Sequence, residues 1–421
     1  MKDKYENIKD KTMGEQNALP SFNMSKYDKP KEKKDDNAKR SRSKWKFSLK
    51  GFAVAILLII ILMTGLFTFK FINFNASVLI WRTNVTRGSD DVNNKSIRYS
   101  SFKNGLMRIS NDGVTFIDEY GLVRWTISYN MKEPIYEEND GHFFIADKNS
   151  YYFYIFNEEG LLGSNTTTYP IVKISAADGG IIYILQSDED YNYINVYRSN
   201  GNPIDILIKT NLSEDGMPID ISTSKSGEQL AVCNVCLSDI DIYTKATYYN
   251  FSDTGKNANS KRIVKEFVTE FEDKFLARVN FFDDKNSCLI YDGGVKYVST
   301  ADESNPKIIA DISFDDEIRS ISYNRKYLAM VFEDNKLRIF NESGNLLCDK
   351  QIDFDYENFY ISDNYIIFLY ENRVMIYDVR GRMIFDKEVR GQLQYVAKKK
   401  SLIFTELLIG LTDGVECLRF Y

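Results

Sequence analysis

One short phrase recurs along this chain, and it restricts the fold more than any other feature. "KLRIFNESGNLLCDK", Lys336 to Lys350, alternates apolar and polar residues, pauses at a polar turn closed by glycine, and becomes apolar again. "GVTFIDEYGLVRWTI" repeats it from Gly113, "FYIFNEEGLLGS" from Phe153, "INVYRSNGNPIDI" from Ile194 and "RVMIYDVRGRMIFDK" from Arg373. "TYYNFSDTGKNA", from Thr247, is a looser sixth copy. Alternation with period two describes a strand with one buried face. An Asp or Asn three residues before the glycine can accept N–H groups of the turn, and the glycine supplies the left-handed residue that closes it. Each copy therefore reads as strand, tight turn, strand.

The aligned glycines, Gly121, Gly160, Gly201, Gly255, Gly344 and Gly381, are spaced 39, 41, 54, 89 and 37 residues apart. The interval of 89 hides a further copy with a different turn, around "GGVKYVSTADESNPKII" from Gly293. A second element lies between the hairpins: a strand, a polar turn and a more apolar strand. Its eight copies begin near residues 99, 135, 171, 219, 279, 320, 359 and 394. Two hairpins per period of roughly 40 residues make four strands per unit, as in a β-propeller blade. The expected fold is all-β, a propeller of about eight four-stranded blades, with seven the alternative count. "KRIVKEFVTEFEDKFLARV" reads as a long connection with strand ends that admits one helical turn. The last unit, from Gln392, carries signals for three strands only, so Ala76–Val85 (76–85), which alternates, is expected to supply the fourth and close the ring.

Ahead of the repeats, Gly51 to Phe69 is a run of 19 uncharged residues that Phe71 and Ile72 extend past Lys70. That length suits a helix crossing the ~30 Å hydrocarbon core. A cleaved signal peptide fits poorly, because fifty residues precede the run and no small-x-small site follows it. The expected organisation is a disordered basic tail over 1–48, a transmembrane signal-anchor helix over 49–72 meeting the lipid bilayer through residues 51–72, and an extracytoplasmic propeller over 73–421. Lys39, Arg40, Arg42, Lys44, Lys46 and Lys50 crowd the N-terminal flank, which places the N-terminus in the cytoplasm and the repeats outside. Residues 1–50 carry 15 basic against 8 acidic side chains; the remainder, Lys70 aside, carries 38 against 52. A basic tail suits an anionic lipid surface, and an acidic exterior domain excludes nucleic acid as the propeller's partner.

The chain resembles single-pass, propeller-bearing envelope proteins of clostridia and related low-GC bacteria, a group whose domain has no known function. The resemblance spans the apolar run and residues 73 to 421, and it rests on "IDISTSKSGEQLAVCNV", "ATYYNFSDTGKN", "IRSISYNRKYLAMVFEDN" and the terminal "VECLRFY". It implies the location and the fold and brings neither a reaction nor a ligand. "FIDEYGLVRW" is also similar to the quinoprotein-type repeat, where Gly-x-x-x-Trp ends a blade. Only Gly121 and Trp125 have that spacing, so the tryptophan-docking girdle of those propellers is not expected.

The candidates for chemistry are few. Cys233 and Cys236 form a Cys-x-x-Cys inside a strand-like segment, where three positions span about 10 Å and point to opposite faces. That arrangement suits neither a disulfide nor a redox pair at a helix start. Cys288, Cys348 and Cys417 are isolated, so five cysteines give neither a second zinc pair nor a disulfide framework. His142 is the only histidine, and no nucleophile elbow accompanies it. Acidic clusters at 137–140, 188–190, 283–284 and 315–317 fall near predicted turns, where Asp bonds backbone. Gathered around a propeller channel, such residues can hold Ca²⁺ or flank a glycoside, although no Asp-x-Asp-x-Asp-Gly loop is present.

These observations assign no catalytic, cofactor-binding or metal residue and no cofactor. They point to a non-enzymatic, membrane-anchored binding or scaffold module, monomeric in its exterior part, facing an envelope protein or cell-wall glycan. The alternative is an envelope enzyme acting on glycans through paired channel carboxylates. A third reading, a sensor that signals to the tail through Ser41 and Ser43, lacks a cytoplasmic domain to receive the signal.

Overall fold

The computed structural model describes residues 54–64, 77–85, 97–237, 241–399, 401 and 405–420. Two compact units divide the chain, residues 1–67 and 68–421. In the first, residues 54–64 form a helix whose large apolar side chains are exposed. Among the described residues no helix is long and apolar enough to cross a membrane. The expected tail over 1–48 and the remaining parts of 49–72 lie outside the described residues.

The second unit is an eight-bladed propeller, each blade a four-stranded antiparallel sheet. Blades 1 to 7 occupy residues 98–128, 134–166, 171–211, 217–267, 276–313, 318–351 and 358–388. Blade 8 takes three strands from residues 393–420, and its outermost strand is β1, Ser77–Asn84. β1 pairs antiparallel with Gly414–Phe420, from Ser77 opposite Phe420 to Asn84 opposite Gly414. The two ends of the propeller sequence thus share one sheet, and their edges protect each other.

The strand period explains why the ring holds. The second strand of every blade is buried on both faces, which is why it reads as a continuous apolar run rather than an alternation. In His142–Asp147, Phe143 and Ile145 pack with blade 1, whereas Phe144 and Ala146 pack with blade 3. Eight such apolar clusters are described, one at each seam between neighbouring blades. The cysteines are absorbed here: all five are free and buried. Cys233 packs toward blade 5, while Cys236 donates to the Asp215 carbonyl at 3.6 Å. Burial pushes both thiols up, and that of Cys417 to about 11.

The recurring turn does a second job. Asp118 Oδ1 accepts the N–H groups of Tyr120 and Leu122, each at 2.9 Å, and Gly121 closes the turn at φ 83°. The outer strand of the preceding blade then docks on that turn. Trp81 Nε1 donates to the Glu119 carbonyl at 3.2 Å, and Trp125 Nε1 to the Glu158 carbonyl in the next blade at 3.0 Å. At two other seams Asn165 and Lys350 donate instead to the carbonyl of the turn glycine itself, Gly201 and Gly381, at 2.9 and 3.1 Å. Among the described residues tryptophan docks at two seams, through Trp81 and Trp125, while Gly163 and Cys348 stand at that register in blades 2 and 6. A Cβ at Gly121 would lie 2.5 Å from Trp81 Cε3 as well as in the left-handed region. Gly121→Ala is expected to cost about 2 kcal/mol, read as a lowered thermal midpoint with reduced tryptophan emission.

One copy departs from the pattern. Around Gly255 the chain forms a short helix, Asp253–Ala258, capped by Ser252, whose side chain accepts the Thr254 N–H. Asn250 Oδ1 accepts N–H groups of Ser252 and Gly255, so Ser-Asp-Thr reads as a helix start rather than a hairpin turn. The segment after it is a strand, Ile263–Phe267, and a 3-10 turn, Thr269–Phe271.

The central channel as candidate functional site

In a propeller the innermost strand of each blade turns one unpaired edge toward the axis. Its N–H groups need acceptors, and a ring of polar side chains supplies them. Ser175 Oγ of blade 3 accepts the Thr223 N–H of blade 4 at 3.1 Å. Asp220 Oδ2 and Ser222 Oγ of blade 4 accept the N–H groups of Val279 and Phe281 in blade 5, both at 2.9 Å. Ser322 serves Ile361, Tyr360 serves Val396, and Tyr395 serves Ser101 across the ring closure, at 2.9, 2.7 and 3.2 Å. Each blade in these pairs is thereby tied to the next at the axis, independently of the apolar seams.

Four ionisable groups sit within this ring. Glu137, on Pro134–Asn139 of blade 2, accepts the Ala176 N–H of blade 3. Desolvation raises its pKa to about 7 against the opposing pull of Arg325 and Lys173. Lys173 is ion-paired with Asp220, whose side chain is 0% exposed. Arg325 enters from the first turn of blade 6. Its guanidinium donates to the carbonyls of Ala176, Thr223 and Phe281, at 2.6, 2.8 and 3.2 Å, and so grips blades 3, 4 and 5 together. The cluster at 137–140 was expected in a turn; its first residue instead faces the channel from a strand, and only Asp140 belongs to the turn.

The remaining sequence candidates stay apart from this network. His142 begins the second strand of blade 2, with Nδ1 3.1 Å from the Asp140 carbonyl. It lines an open groove of ≈ 790 Å³ between blades 1 and 2, together with Lys103, Trp125, Glu158 and Glu159. Asp188 accepts the N–H groups of Asp190 and Tyr191 at 2.9 and 2.6 Å. Asp283 does the same for Lys285 and Asn286, both at 2.7 Å. These carboxylates are occupied by their own turns. Among the described residues no three His, Cys, Asp or Glu side chains are grouped to hold a metal ion.

Chemically the channel offers one carboxyl able to exchange a proton near neutrality, Glu137. The buried thiols of Cys233 and Cys288 are held protonated by desolvation. Asp220, the second carboxylate, is closed to any ligand by Lys173 and the Val279 N–H. The arrangement reads as a set of ties between blades.

A family described as a family of unknown function, DUF5711, matches residues 80–416. No curated protein matches the chain. Among solved structures, Sqt1 of Saccharomyces cerevisiae aligns with 9% identity and a TM-score of 0.53, covering 82% of this chain and 98% of that one. BamB of Moraxella catarrhalis aligns with 10% identity and a TM-score of 0.47, over 82% and 98%. The computationally designed Ika8 protein gives 10% and 0.48, over 77% and 96%. At such identities the likeness concerns the fold.

Proposed function

We propose, from the premise that this chain belongs to the DUF5711 family of unknown function, that it is a non-enzymatic binding or scaffold propeller held at the outer face of the cytoplasmic membrane. Residues 51–72 anchor it in the bilayer, the N-terminus lies in the cytoplasm, and the propeller faces an envelope protein. The observation that carries this reading is the commitment of the channel acids. Glu137 and Asp220 are spent on backbone N–H groups and basic side chains, whereas a glycan hydrolase needs two carboxylates that reach one substrate.

The partner surface is the face opposite the turn glycines. Its loops present exposed Glu189, Asp315, Glu317, Asp353, Asp355 and Glu357, a field that draws a basic protein and resists nucleic acid. Propeller loops on a rigid disc suit such recognition. Proximity labelling from the propeller in intact cells is expected to return one envelope protein reproducibly. Changing Asp315, Glu317, Asp353 and Asp355 to asparagine should abolish that recovery. Labelling of bulk wall proteins alone, unchanged by the substitutions, would overturn the proposal.

A further inference from the structure

The turn phrase contains one element that neither the fold nor the channel uses: an apolar residue one or two positions after the glycine. It is Val123 in blade 1, Leu161 in blade 2, Leu346 in blade 6 and Met383 in blade 7; all four are exposed, as is Leu122 beside Val123, to 59%. Blade 8 has no turn glycine there, yet β1 begins at the same edge, where Leu79 is exposed. Ile80, Tyr120 and Leu162 extend the apolar edge in blades 8, 1 and 2. At the same register blades 3, 4 and 5 carry Pro203, Ile263 and Ile308: Pro203 is exposed, Ile263 and Ile308 are half-buried, and exposed Lys261, Lys307 and Ile309 lie beside them. Single exposed apolar side chains are ordinary; a large, exposed apolar side chain at one register in five consecutive blades is not.

The arc is centred on blade 8, where the chain enters the ring at Ser77. Only residues 73–76 separate Ser77 from the end of the apolar run at Ile72, so extended chain spans at most about 17 Å between them. If residues 51–72 cross the bilayer, the start of β1 lies within that reach of the lipid surface. Leu79, Ile80, Tyr120 and Leu122 surround this entry point, because Trp81 of β1 docks on the turn that carries Tyr120 and Leu122. Tyr120 and the docked Trp81 and Trp125 are side chains suited to a membrane–water boundary.

We infer that the rim of blades 6, 7, 8, 1 and 2 at the turn-glycine edge rests on the bilayer, so that the disc stands on its edge in contact with lipid. The inference rests on the proposed membrane anchoring and adds a second lipid-binding element to it. Burial of such side chains at the interface fixes which face the disc offers outward. The acidic loops lie on the opposite face, away from the apolar edge and its lipid.

The test uses the full chain in vesicles whose acyl chains carry bromine. Because the five native cysteines are buried, single reporters Leu122→Cys and Lys307→Cys accept an environment-sensitive fluorophore selectively. The expected result is co-flotation of protein with vesicles and at least about two-fold stronger quenching at 122 than at 307. Co-flotation with equal, weak quenching at both sites overturns the rim contact and leaves the anchor standing. Failure to co-float overturns both. A probe at 122 that is shielded from water yet unquenched by brominated lipid assigns the rim to a second copy of the chain and also overturns the inference.

Discussion

Replacing Asp220 with alanine is expected to lower the stability of the propeller by about 3–5 kcal/mol, the largest loss of any single side chain in the channel. Asp220 is 0% exposed and holds Lys173 on one oxygen and the Val279 N–H on the other. Alanine strands a cation against blade 4 and leaves an inner-edge donor of blade 5 without its acceptor. Removing one partner of such a pair costs far more than the pair contributes net, because the desolvation of the survivor is no longer offset. Asp220→Asn keeps an acceptor for Val279 but loses the ion pair, and should fall between wild type and alanine. Urea unfolding followed by the emission of Trp81 and Trp125 measures both. An alanine variant as stable as wild type would mean that the inner ties add nothing to the apolar seams.

The second large effect is on pH dependence. Glu137 has a pKa of about 7 in the folded ring, against 4.5 for an unperturbed glutamic acid. Between those values the folded state keeps a proton that the unfolded chain has lost, so this group's contribution falls as pH rises from about 4.5 to about 7. Below that window both states are protonated, and above it both are ionised, so the contribution is flat on either side. The size of the fall is about 3 kcal/mol. Glu137→Gln, which cannot ionise, should remove this slope and be more stable than wild type at pH 8. Arg325→Met removes a guanidinium that pulls the carboxyl downward, and should extend the falling region above pH 7. Unfolding midpoints of the three proteins across pH 4 to 9 provide the comparison. An identical slope in wild type and Glu137→Gln would show that Glu137 does not titrate in the folded ring.

The same two residues show where sequence reasoning succeeded and where it stopped. Turn chemistry and strand period are local, so "FIDEYGL" and "YDVRGRM" gave the hairpins, and the paired hairpins gave four-stranded blades. Membership of the channel is not local. Arg325 meets carbonyls of residues 176, 223 and 281 only because the ring gathers the inner strands of blades 3, 4 and 5 beside the first turn of blade 6. Nothing in "SYNRKY" marks that arginine. A fainter signal was available: an oxygen-bearing side chain recurs at one place on the innermost strands, as Glu137, Ser175, Ser222, Ser322, Tyr360 and Tyr395, where apolar packing alone would favour aliphatic residues. Reading that recurrence as an acceptor for the neighbouring blade would have separated Glu137 from the turn acids. Gly255 failed for the opposite reason, since its surroundings matched the hairpin phrase while Asn250 and Ser252 favoured a helix start.

The orientation on which the proposed function depends has an internal control in the lysines. A membrane-impermeant amine reagent applied to intact cells, followed by peptide mapping, should modify exposed Lys285, Lys307 and Lys326 of the propeller and spare Lys26, Lys33 and Lys39 of the tail, which react only after lysis. Modification of the tail lysines with the propeller lysines protected in intact cells would contradict the account.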